Sequence, residues 1–395
     1  MKTGLDCLLE APQVLAEFPY GLLSHTPARS RQGDPAHLAL VRSGVPPRRL
    51  FAPEHGLDGV EQDMVPAGSG IDPWTGLEVV SLYGSTATSL VPEPRHFEGL
   101  ERLLIDVQDI GTRYYTFATT ACWAARVALE LGLEVWVLDR PNPLGGVRVE
   151  GPGVEPGLRS FVGAWDLPVR HGLTLGELLR WVAKKEGWSA ERLRVLPVVG
   201  WDRGSKWPEW GIPWSVPSPN MPSFETALLY PGLCLMEATT LSEGRGTTRP
   251  FRLLGAPGLD GRELAQKLTG LREWGVQAVP ARFRPQFQKH AGNVCEGVEL
   301  WILEPEKVEG LRVGVEILWA LREWKGAVWG WRTEAYEFVN DRLAIDLLAG
   351  SPALRESLES GDRSRLDCWI LSWESFEERF LKEREPALLY PEQDP

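Results

Sequence analysis

The first third of the chain alternates short apolar runs with longer amphipathic ones. Tyr20 to Leu23, Arg49 to Ala52, Leu77 to Leu82, Leu103 to Val107 and Val135 to Leu138 read as strands. Pro35 to Arg42 and Tyr115 to Leu131 have the length and periodicity of helices. Strands alternating with helices predict an α/β domain, a parallel sheet with helices on both faces, over residues 1–150. Each predicted strand ends on a Gly- or Pro-marked polar cluster, and ligands of such sheets bind outside the carboxyl ends of the strands.

Pro141 to Gly157 is rich in Pro and Gly, and the domain boundary is expected there. Beyond it, residues 151–395 predict an α+β domain that completes a cleft. Thr174 and Glu177 have capping-box spacing for a helix to about Lys185, and Arg194 to Val199 reads as a strand. Trp201 to Ser223 predicts a long irregular loop. After it, Arg262 to Leu271 reads as a helix, Val276 to Val279 and Val298 to Leu303 as strands, and the chain from Val313 as helices. The stretch Tyr230 to Phe251 centres on Ser242-Glu243-Gly244-Arg245-Gly246-Thr247. Its glycines allow a loop that holds a carboxylate and a guanidinium at fixed angles.

Composition narrows the function classes. At 395 residues the chain exceeds the ~250–300 at which single cores split, in line with two domains. A net charge of -12 argues against nucleic acid or an anionic membrane as partner. No apolar run approaches the ~20 residues of a membrane span, and the first residues do not read as a signal peptide, so a cytoplasmic protein is expected. The five cysteines, Cys7, Cys122, Cys234, Cys295 and Cys368, form no CxxC pair and predict reduced thiols. His55 lacks a suitably spaced second histidine, so no metal is expected. No GxGxxG, Walker loop or GxSxG elbow follows a strand.

Three strand-end clusters carry candidate chemistry. In Phe51-Ala52-Pro53-Glu54-His55-Gly56, apolar surroundings favour the protonated form that a general acid needs at Glu54. In Asp106 to Tyr115, alternation sends Asp106 and Gln108 to one side, while Arg113 sits where the helix dipole disfavours a cation. In Leu138 to Gly146, two prolines immobilise Asp139, Arg140 and Asn142. Ser218-Pro219-Asn220-Met221-Pro222 repeats that device. Each cluster also has a plainer structural reading: a salt bridge for Glu54, a helix cap for Asp109 or Thr112, a rigid linker for the Pro-bounded run.

Taken together, FAPEHGLDG, DVQDIGTRYYTF, LDRPNPLGG, VEGP, PVRHGLTLGELL, SPNMPS, YPGLCLMEATTLSEGRGT and PFRLLGAP resemble the exo-β-N-acetylmuramidase family of bacterial cell-wall recycling, over about Gly4 to Tyr390. The resemblance implies removal of non-reducing-end N-acetylmuramic acid from peptidoglycan fragments. It also implies a cleft between a Rossmann-like domain and a second domain, with no cofactor. It makes Glu54 the favoured catalytic candidate, here expected as general acid/base, with Glu243 second, as partner carboxylate or substrate-positioning group. His55, Asp106, Gln108, Arg113, Tyr114, Asp139, Arg140, Asn142, Asn220 and Arg245 become candidate substrate-binding residues. Ser24-His25-Thr26-Pro27 departs from the family pattern. The lactyl carboxylate of the sugar calls for arginine, and Arg113, Arg140, Arg245 and Arg249 all lie in motif loops. Rival readings are a non-catalytic two-domain sugar- or muropeptide-binding protein, and an amidase or deacetylase of the same sugars.

Overall fold

A computed structural model describes residues 1–391. The first sheet is built from β1 (Tyr20–Ser24), β2 (Arg49–Ala52), β3 (Gly70–Ile71), β4 (Glu78–Ser81), β5 (Arg102–Asp106), β6 (Glu134–Leu138) and β7 (Leu193–Leu196). Their order across the sheet is β3-β4-β2-β1-β5-β6-β7, parallel throughout except that the short β3 runs antiparallel to β4. The inner strands β1 and β5 are buried along their whole length, which is why they read as continuous apolar runs. Strand order reverses direction between β1 and β5, the place where such sheets open a crevice.

Helices α1 (Gly4–Leu9), α2 (Ala36–Arg42), α3 (Phe117–Glu130) and α4 (Leu175–Glu186) cover this sheet. The reciprocal Thr174–Glu177 cap opens α4, and Gly187 closes it at a φ of 68°. The expected boundary within Pro141 to Gly157 is crossed: β7 and α4 lie beyond it yet belong to the first sheet layer. The Pro/Gly-rich run is packed rather than free: Val149 lies against the core of the first unit, while Arg148 and Glu150 bond the backbone of residues 306–311. Arg170, for example, pairs with Glu150 in a bridge at 2.8 Å.

The second unit pairs α5 (Phe224–Leu233) with a three-stranded antiparallel sheet. That sheet, in the order β8-β10-β9, comprises β8 (Leu253–Ala256), β9 (Val276–Phe283) and β10 (Cys295–Ile302). Helices α6 (Gly261–Lys267), α7 (Gly310–Leu321), α8 (Ala344–Ala349), α9 (Ala353–Ser360) and α10 (Arg363–Arg384) complete it. Packing of α5 on α7 is close at Gly232, where a Cβ would come within 1.9 Å of the Gly310 carbonyl oxygen. The loop expected from Tyr230 thus begins inside a helix that contains Pro231. Continuous helix from Val313 is likewise interrupted, because residues 325–343 are irregular between α7 and α8. α10 returns to the first unit, where Phe380 packs edge-on against Trp181.

Candidate active site

Where the two units meet, one cavity is lined from both sides. Glu54, His55, Asp63, Thr116 and Phe117 come from the first, and Asn220, Glu237, Arg245, Tyr336 and Glu337 from the second. The free space is narrow, about 40 Å³.

Glu54 follows β2 and is buried. Its Oε2 accepts from the Thr116 hydroxyl at 2.6 Å, and its Oε1 accepts from the Met64 amide at 3.4 Å. Thr116 precedes α3 and spends its hydroxyl on Glu54 rather than on a cap of its own helix. His55 holds a φ of 70°, a conformation that side chains rarely adopt, and its Nδ1–H donates to the Glu61 carbonyl at 2.7 Å. This turn fixes Glu54 at the strand end.

The Ser242–Thr247 loop has the glycine geometry its sequence predicts, with φ of 84° at Gly244 and 77° at Gly246. It does not hold Arg245 free for a ligand. The guanidinium reaches Asp63 at 2.9 Å, Glu237 at 2.7 Å and Glu243 at 3.2 Å. Burial opposes its charge, but these carboxylates hold its pKa well above the ordinary value. Glu243 stands behind Arg245 and is not among the cavity-lining residues; its Oε2 takes an ion pair from Lys289 at 2.9 Å. Glu237 accepts a second bond from the Tyr336 hydroxyl at 2.7 Å.

Of the residues singled out in the sequence, Glu54, His55, Tyr114, Asn220 and Arg245 line this cavity. The others do not. Asp106 is fully buried and holds Arg140 through two oxygens, Arg140 also donating to the Arg29 carbonyl. Burial leaves the Asp106 pKa raised, although Arg140 opposes the rise. Asp139 binds the Thr174 hydroxyl, the Gly176 amide and the Tyr390 hydroxyl; burial leaves its pKa raised to about 6. Gln108 and Asn142 donate to main-chain carbonyls. Both terminal nitrogens of Arg113 donate to main-chain carbonyls, Nη1 to Pro152 and Leu167 and Nη2 to Leu348, each at 2.7 Å. Arg249 pairs with Glu299 at the surface. His25, in the departing segment, accepts from the Gln108 amide at 2.9 Å, and burial lowers its pKa to about 3. Gln108 and Arg140 instead border a wider recess of about 690 Å³ with Trp207, Trp210 and Trp214.

Sequence reasoning missed Asp63, Thr116, Glu237, Tyr336 and Glu337. Glu237 lies within the quoted family stretch, so its signal was present. Tyr336 and Glu337 lie in the irregular segment read as helix, where nothing in the local pattern singles them out. The Oε2 of Glu337 accepts from the Tyr83 hydroxyl at 2.9 Å. Burial first, then the charge of Glu54, pushes the Glu337 pKa well above the usual carboxylate range. Among the described residues, no group of three or more His, Cys, Asp and Glu is arranged to hold a metal ion.

Comparison with known proteins adds the remaining findings. The family model described as exo-β-N-acetylmuramidase NamZ, N-terminal, matches residues 20–225, and its C-terminal counterpart matches residues 228–390. The peptidoglycan β-N-acetylmuramidase NamZ of Bacillus subtilis is 38% identical over 341 residues, 86% of this chain and 79% of that protein. Two crystal structures of DUF1343 family proteins from Bacteroides fragilis superimpose with TM-scores of 0.85 and 0.75, at 27% and 25% identity. Each comparison covers 99% of both chains.

Proposed function

Because this chain belongs to the exo-β-N-acetylmuramidase family, we propose that it is a glycoside hydrolase releasing non-reducing-end N-acetylmuramic acid from peptidoglycan fragments, with Glu54 a catalytic carboxyl group. The observation that carries the assignment is the setting of Glu54. It is buried at the wall of a cavity between two domains, bound by neutral donors only. Glycoside hydrolysis needs a carboxyl group beside the scissile bond, free to exchange a proton or to face a developing positive charge. An ion-paired carboxylate has already spent that capacity.

Arg245 and Glu243 act as positioning residues in this reading. Three carboxylates compete for one guanidinium, so a substrate carboxylate would have to replace one of them. Among Arg113, Arg140, Arg245 and Arg249, only Arg245 lines the cavity. The five cysteines are unpaired, which fits a reducing compartment, and we assign the activity to recycling of fragments in the cytoplasm.

Incubation with a 4-nitrophenyl N-acetylmuramic acid β-glycoside, and with a disaccharide carrying that sugar at its non-reducing end, tests the reading. Free N-acetylmuramic acid should appear from both, at rates unchanged by EDTA. No release from either would refute the hydrolase. Loss with EDTA and recovery with zinc would refute the metal-free site.

A further inference from the structure

Four carboxyl groups line the cavity, Glu54, Asp63, Glu237 and Glu337, and with Glu243 behind Arg245 they fall into two kinds. Asp63, Glu237 and Glu243 each contact Arg245, and Glu243 also contacts Lys289. Glu54 and Glu337 have no cationic partner among the described residues. We propose that Glu337 is the second catalytic carboxyl group of this site and delivers the proton to the departing glycosidic oxygen, while Glu54 stays an anion. This assignment rests on the hydrolase reading above.

The backbone is the first support. Tyr336 and Val339 exchange both main-chain hydrogen bonds at 2.9 Å, so Glu337 and Phe338 form the two-residue tip of a tight turn. Both tip residues have positive φ, 47° and 67°. Tips of that kind are normally Asn-Gly or Gly-Gly, because other side chains meet steric strain there. A glutamate and a phenylalanine in these places are strained, and strain of this kind collects at functional sites. It fixes the Glu337 carboxyl at the cavity, where Tyr83 binds Oε2 and Oε1 has no hydrogen-bond partner among the described residues.

Electrostatics is the second. Glu337 is enclosed with Glu54, Asp63 and Glu237, all of which disfavour a further negative charge, and burial disfavours it more. Only the Tyr83 hydroxyl opposes them, and that phenol is itself kept neutral by burial and by the neighbouring acids. The charge of Arg245 is already matched by three carboxylates. Glu54, in contrast, accepts from Thr116 and from the Met64 amide, an environment suited to an anion. The two carboxyls differ in their donors and surroundings, and the acid role falls to the one whose charge is disfavoured, Glu337.

The reaction then balances. Glu337 gives its proton to the glycosidic oxygen as the C1–O bond breaks, and the aglycone leaves as a neutral alcohol. Positive charge developing at C1 faces the Glu54 anion. Water adds to C1, its proton returns to Glu337, and the free sugar departs.

Glu337→Gln tests this through leaving-group dependence. A 4-nitrophenolate leaves with little need of a proton, whereas a sugar alkoxide does not. We expect kcat/KM on the disaccharide to fall at least ~10²-fold, and on the 4-nitrophenyl glycoside less than ~10-fold. Equal falls on both substrates, or no fall, would overturn the assignment while the hydrolase stands. Inactive wild-type protein would overturn the hydrolase reading itself. Should that variant not fold, Tyr83→Phe gives an independent readout. Removing the donor removes the one neutral bond that favours the Glu337 carboxylate, so its pKa rises further. The basic limb of kcat/KM should move to higher pH; an unmoved limb, or one moved to lower pH, would contradict the proposal.

Discussion

Two groups of acids stand at or just behind one cavity wall and differ in what they touch. Asp63, Glu237 and Glu243 surround Arg245, and their oxygens are bound at fixed distances. Glu54 and Glu337 meet only neutral donors: a threonine and an amide for one, a tyrosine for the other. The sequence feature richest in charge, Ser242 to Thr247, belongs to the first group. The difference separates holding from reacting. A paired carboxylate gains a fixed geometry, whereas one bound by neutral donors keeps an oxygen available to a reacting group.

The largest effect on stability should come from removing the cation. Arg245→Ala leaves three enclosed carboxylates without their shared partner, and breaking such buried pairs costs about 3–5 kcal/mol. Denaturant unfolding should show that loss, with activity falling equally on N-acetylmuramic acid and N-acetylglucosamine glycosides. A selective loss on the lactyl-bearing sugar would instead make Arg245 the clamp for that group and erase the contrast.

A smaller effect should follow from Tyr336→Phe, which deletes one hydrogen bond to the Glu237 carboxylate. Bonds to charged groups contribute about 1.5–3 kcal/mol, to be read from the unfolding midpoint. No change would mean that Glu237 is held by Arg245 alone.

The smallest should be Arg249→Ala. Its partner Glu299 lies 2.6 Å away, but the arginine side chain is 49% exposed. Surface pairs contribute at most about 1 kcal/mol. Stability and sugar discrimination should both stay near wild type, which a parallel titration with denaturant and kinetics on the two glycosides would check.

The legible parts of the fold are those with local causes. Strands β1, β2, β4, β5 and β6 follow from buried apolar runs, and α4 from a cap read three residues apart. α5 has no clear local signal, since it contains Pro231 and Gly232, and packing on α7 favours a residue without a side chain at Gly232. The expected domain boundary falls before β7 and α4, which rejoin the first unit, because a Pro/Gly-rich run carries no local sign of what the chain after it packs against.

The same divide runs through the site. Glu54 was visible since a strand, a proline and a glycine bracket it. Arg113 resembled an anion clamp because its partners, Pro152, Leu167 and Leu348, are carbonyls brought from far along the chain. Such partners leave no local trace. Glu337 was invisible for the opposite reason: its turn lacks the glycine that turns are recognised by, and that lack is part of why the residue stands out in the structure.

The account stands most directly on the turnover of Glu54→Gln measured beside Glu243→Gln on the same N-acetylmuramic acid disaccharide. Both changes keep side-chain shape and remove one charge. Glu54→Gln should lower kcat at least ~10²-fold, as loss of an acid–base or anionic catalytic group does. Glu243→Gln should lower it less than ~10-fold, since Asp63 and Glu237 still hold Arg245. Near-wild-type turnover in Glu54→Gln, with the large loss in Glu243→Gln, would contradict the account and return the chemistry to the arginine-centred group.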